Sequence, residues 1–141
     1  MEKLIPMINE AGSHWNGRLT RKCDAVLADG VFVKTGSDGD HVAVTTAPTE
    51  NPLGLAMNAT DAAEDDVGVE LPGAAPGTKV AIASAAIAAG ARVCPTAAGK
   101  VVTLPTDTGT YYVTGRAITA ADADDDKIEI EGCTPYPVVV D

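Results

Sequence analysis

From residue 25 onward, apolar and polar positions alternate in short runs, and each run ends at a turn former. Val31–Lys34 reads as a strand, Gly36–Asp40 as a Gly/Ser/Asp turn, and His41–Thr45 as a second strand with Val42 and Val44 on one face. Pro48 and Pro52 break the pattern. Leu53–Asn58 and Val67–Leu71 then predict two strands around an acidic turn, and Pro72–Gly77 reads as a loop. Val67 and Val69 alternate with Gly68 and Glu70, the mark of a strand with one buried and one wet face.

The same pattern returns about sixty residues later. Leu27, Gly30, Val33, Gly39 and Val42 align with Ile87, Gly90, Val93, Gly99 and Val102 at a shift of 60. At a shift of 61, Gly54, Ala56, Asp61, Glu64, Asp65, Val67 and Val69 align with Gly115, Ala117, Asp122, Asp125, Asp126, Ile128 and Ile130. One residue inserted near 105–110 accounts for the change. The matched glycines fall where strands reverse, and Gly reaches positive φ without penalty. Asp61 and Asp122 open the acidic turns, where a carboxylate can accept backbone N–H bonds. Two copies are too few for a solenoid. They predict a mainly-β fold, a compact β-sandwich or partly open barrel made from two duplicated strand–turn–strand modules, at about 25–71 and 85–132 of a β-domain spanning 23–141. Residues 133–141 read as a tail.

Residues 1–22 show no sustained period and read as an extended N-terminal arm. They hold four of the ten basic residues, two of the three methionines, Trp15, and the breakers Pro6, Gly12 and Gly17. Residues 23–141 carry eighteen acids against six bases, so an acidic body follows a mildly basic arm.

Composition narrows the function. A net charge of −10 disfavours nucleic acid and anionic membrane as partners. The longest apolar stretch, Val80–Ala91, is too short to span a bilayer, and no apolar signal-peptide core follows Lys3. Ala and Val supply most of the apolar residues, and they bury less area each than Leu or Phe, so the core is expected to be thin and helped by a partner.

Chemistry is sparse. Cys23, Cys94 and Cys133 form no CxxC or zinc spacing and read as reduced thiols of a protein made in a cytosol. His14 and His41 lie in different zones, and no nucleophile elbow exists, so no catalytic residue, cofactor site or metal site is assigned and the protein is not expected to be an enzyme. The acidic turns lack EF-hand spacing and read as solvated turns, with a weak cation site as the alternative. Trp15 beside Arg18 and Arg21 is a plausible docking anchor, since Trp and Arg are enriched at interface hot spots; folding back on the body is the other reading. Leu4, Ile5, Met7 and Ile8 also need burial, and with Lys22 they complete the candidate contact set.

Four stretches carry a resemblance. ADGVFVKTGSDGDHVAV, PLGLAMNATDAAEDDVGVELPG, IAAGARVCPTAAGKVVTL and TGRAITAADADDDKIEIEG are similar to the turn-and-strand pattern of the capsid decoration, or cement, proteins of tailed bacteriophages, over about residues 25–132. The resemblance implies a β-rich structural protein, made in the host cytoplasm, that binds the outer capsid surface of the virion and stabilises it. It also implies two partners, the major capsid protein and copies of itself in a homotrimer. The rival reading is a carbohydrate- or surface-binding β-module, which needs an aromatic platform from Trp15, Tyr111, Tyr112 and Tyr136.

Overall fold

The computed structural model describes residues 16–141. Its strands are β1 (Arg18–Cys23), β2 (Phe32–Thr35), β3 (His41–Val44), β4 (Gly54–Ala56), β5 (Asp66–Glu70), β6 (Lys79–Ile82), β7 (Arg92–Pro95), β8 (Val101–Thr103), β9 (Gly109–Ala117) and β10 (Lys127–Val140). The fold is mainly β, as the alternation requires. β1–β5 close into a barrel in the order β1-β3-β2-β4-β5, with β1 parallel to β3 and antiparallel to β5. β6–β10 form an open sheet in the order β6-β10-β9-β7-β8. Its two ends are linked by a single parallel bridge, Ala83 to Val101.

The duplication is visible as register. Lys22 opposes Asp66 in the first module and Ile82 opposes Lys127 in the second. Phe32 faces Leu55 as Arg92 faces Arg116, and Ala56 faces Val69 as Ala117 faces Ile130. The acidic turns match as well: Glu64 and Asp125 adopt φ of 71° and 72°. The carboxylates that hold these turns are not those of Asp61 and Asp122. Asp65 Oδ2 accepts the N–H groups of Asp61 and Ala62, and Asp126 Oδ2 those of Asp122 and Ala123.

Three further expectations are corrected. First, the correspondence starts earlier than residue 25: β1 and β6 are equivalent strands. Residues 18–22 therefore belong to the barrel, where β1 fills the gap between β3 and β5. Their alternation is hidden because Arg21 occupies a half-buried position where an apolar residue would reveal the period. Second, Val42 corresponds to Val101 rather than Val102. Val42 opposes Thr35 and Val101 opposes Pro95, and both valines are fully buried. Third, residues 133–140 are strand, not tail. The two prolines in TPYPVVV argue against a strand, but Pro135 lies in the bulge between Gly132 and Tyr136, and Pro137 lies beyond the stretch that pairs with β6.

The cores are thin, built mostly from Val and Ala. Cys23, Leu27, Val33, Val42, Val67 and Val69 fill the barrel. Val93, Val101, Ala117, Ile128 and Ile130 fill the second module, and Phe32 and Leu55 of the first module join them. Ile82 packs in the opposite direction, against the barrel core. Gly99 sits at this seam with φ of 69°; a Cβ there would lie 2.6 Å from Val31 Cβ and 2.8 Å from Phe32 O. Near the seam, Glu70 bonds Arg18 at 3.0 Å and lies 3.6 Å from the buried Lys79 Nζ. The unrepeated part is the outer end of the β9–β10 hairpin, which packs on Cys94, Val102 and Leu104 and is tethered where the Tyr112 N–H donates to Pro48 O at 2.9 Å.

Candidate functional site

Of the expected contact residues, Leu4, Ile5, Met7, Ile8 and Trp15 lie outside the described residues. Arg18, Arg21 and Lys22 stand together on β1. Arg18 is bound to Glu70 at 3.0 Å, and Lys22 Nζ to Asp66 Oδ1 at 3.1 Å. Arg21 donates from Nη1 to the carbonyl of Thr20 at 2.9 Å and has no acidic partner among the described residues. Two of these three charges therefore neutralise the barrel's own acids.

A shallow depression of about 440 Å³ lies beside them, lined by Arg21, Lys22, Asp40, His41, Glu64 and Asp66. His41 Nδ1 meets Asp38 at 2.6 Å and Nε2 meets Glu64 at 3.0 Å. Hydrogen bonds that the ring donates to Asp38 and then to Glu64 raise its pKa to about 9, so the ring is a cation at neutral pH with both nitrogens engaged. A ring in that state holds a turn rather than accepting a proton. The second module puts Lys100 in the equivalent place, 2.6 Å from Asp125, the counterpart of Glu64.

Cys23 is fully buried and lies 3.2 Å from the Ala62 carbonyl, an acceptor for its S–H. Burial pushes the Cys94 thiol up to about 11 and raises that of Cys133. Among the described residues, no group of three or more His, Cys, Asp or Glu side chains is placed to hold a metal ion. Tyr111 is buried and its hydroxyl donates to Asp107 O at 3.0 Å, which removes it from any aromatic platform.

A second concavity, of about 400 Å³, opens on the second module. Arg92, Arg116 and Glu131 cross it side by side from β7, β9 and β10. Val113, Gly115 and Gly132 line it further, and Tyr136, 40% exposed, stands among them. Arg116 Nη2 lies 2.7 Å from Glu131 Oε1. Arg92 has no ion-pair partner among the described residues. Neither arginine was singled out from the sequence. The available signal was a mismatch: the repeat aligns Arg92 with Phe32 and Arg116 with Leu55.

A family model described as phage cement protein matches residues 19–132, which takes in both modules from β1 to the first part of β10. No curated protein matches the sequence significantly. Among solved structures, the head fiber gp8.5 N base of bacteriophage phi29 is similar in fold, with a TM-score of 0.61 and 16% identity over 80% of this chain and 90% of that one.

Proposed function

The chain belongs to the phage cement protein family, and from that premise we propose that it binds the outer surface of an assembled phage head and stabilises it by bridging major capsid subunits. The family match over residues 19–132 carries this reading. The fold agrees with a structural, non-catalytic role: both ring nitrogens of His41 are occupied by carboxylates and the thiols of Cys94 and Cys133 are held protonated. Thin Val and Ala cores gain stability when a shell binds the folded state alone. Many copies on one particle multiply a weak contact. The proposed assembly is a homotrimer, readable as a native mass.

The proposed contact set is Leu4, Ile5, Met7, Ile8, Trp15, Arg18, Arg21 and Lys22. Because β1 closes the barrel, a deletion that tests it must stop before Arg18. A variant lacking residues 1–15 is expected to keep its β-sheet circular dichroism and to lose head binding; undiminished occupancy would remove those residues from the set. The decisive experiment mixes the full chain with expanded heads that lack it. Saturable occupancy and a higher melting temperature of the heads are expected. Heads that stay bare, or that gain no thermal resistance, overturn the proposed role.

A further inference from the structure

Each module carries the same row of three cross-strand positions. In the first it is Phe32, Leu55 and Glu70 on β2, β4 and β5; in the second it is Arg92, Arg116 and Glu131 on β7, β9 and β10. The first row is the seam between modules: Phe32 and Leu55 are buried in the second module's core, and Glu70 approaches Lys79 on β6. The second row occupies the geometrically equivalent face, and among the described residues no module covers it. It forms the concavity of about 400 Å³ instead.

The chemistry of that face has changed with its partner. Two apolar residues that bury themselves in a neighbour are replaced by two guanidinium groups, of which one carboxylate, Glu131, neutralises one. The row is thus locally cationic on a chain of net charge −10. Planar guanidinium groups present paired donors that fit a carboxylate, and a partly apolar floor strengthens such a contact by lowering local solvation. Nucleic acid is opposed by the surrounding negative field.

We propose that the Arg92–Arg116–Glu131 row is a docking site for an acidic segment of the shell protein, with an Asp or Glu carboxylate seated on Arg92. The carboxylate chemistry stands on the row itself; the shell as its source rests on the proposed role in head binding.

The test uses the full chain and hexaglutamate as probe, with the side-chain Nε–H resonances of the arginines observed by NMR. Saturable shifts of Arg92 and Arg116, absent at Arg18, are expected. Hexaglutamate affinity, read in both proteins from the backbone amide shifts of Gly115 and Gly132, should weaken about tenfold or more in the R92Q/R116Q variant, the size of one charge-assisted hydrogen bond. No shift at Arg92, or an equal response to inorganic phosphate, overturns the carboxylate site. Head binding supplies the second arm. R92Q/R116Q is expected to need about tenfold more protein for half occupancy than wild type. Equal occupancy by the two sinks the docking site and leaves the decoration role standing; failure of wild type itself sinks that role and with it the shell as partner. Self-association of the wild type that disappears in R92Q/R116Q would assign the row to a second copy of this chain and overturn the shell as occupant.

Discussion

Phe32 and Arg92 hold the same backbone place in their modules, so replacing each by Ala separates the energy of the seam from that of the position. Phe32 is completely buried and heads the fully buried side chains by volume. A Phe side chain buries about 150–250 Å², and at about 25 cal/mol per Å² that corresponds to roughly 4–6 kcal/mol before the share retained by Ala is subtracted. Phe→Ala substitutions in cores cost about 3–5 kcal/mol, the residual cavity included. Here the upper half of that range is expected. Ala81, Ala83, Ala117 and Ala121 lie in the same cluster, and short side chains cannot swing in to fill the hole. Arg92 is exposed, and its removal should change stability by no more than about 0.5 kcal/mol. Urea unfolding followed by far-UV circular dichroism measures both. A domain stable by about 5–15 kcal/mol would lose a large part of that margin in F32A and almost none in R92A. If Phe32 also couples the modules, F32A should broaden the transition and lower the apparent m-value as the two halves unfold separately. A cost below about 1 kcal/mol for F32A, or equal costs for F32A and R92A, would refute the seam.

Two other predictions concern the turns. Gly99→Ala should destabilise by about 2–4 kcal/mol, because its Cβ meets Val31 Cβ at 2.6 Å on top of a φ of 69°. Gly90→Ala, with φ of 88° and nothing within 4 Å, should cost only the backbone term of about 1–2 kcal/mol; similar thermal shifts for the two would show that the seam is not tightly packed there. His41 makes stability depend on pH. Its folded pKa of about 9 lies above the ordinary histidine value of 6.5, so its contribution is fully present below about 6.5 and lost as pH rises toward 9. The urea midpoint of wild type should therefore fall relative to H41Q across that window, and parallel profiles for the two proteins would contradict the double carboxylate contact.

The repeat made the interior legible and left the edges of each module obscure. Strands whose buried face is Val or Ile, such as Val67–Val69 and Ile128–Ile130, announce their period because each inward position is apolar. β1 does not, since Arg21 holds one of its inward positions, and it declares itself only through its pairing with β5 and β3. The last strand was concealed by Pro135 and Pro137, which a bulge and a free edge accommodate. The glycine match at 39 and 99 misled in another way. Gly39 has open space around it, whereas Gly99 is pressed against the other module, and the register that matches Val42 to Val101 shows that the two glycines are not at equivalent positions.

The candidate site was less legible because its signal lies in what the two copies do not share. Aligned identities select for the common requirements of one module: turns, close strand approach and an apolar face. Whatever joins two modules cannot be common to both, since in a head-to-tail arrangement each equivalent face meets a different neighbour. Phe32 and Leu55 satisfy the face that is covered, and Arg92 and Arg116 the face that is open. An apolar pair retained on the open face would leave an adhesive patch able to chain molecules without limit. Two arginines remove that hazard and keep a surface able to select an acidic partner. In a duplicated fold of this kind, the positions that diverge within an otherwise matched row are where assembly is encoded, and here they converge on one concavity.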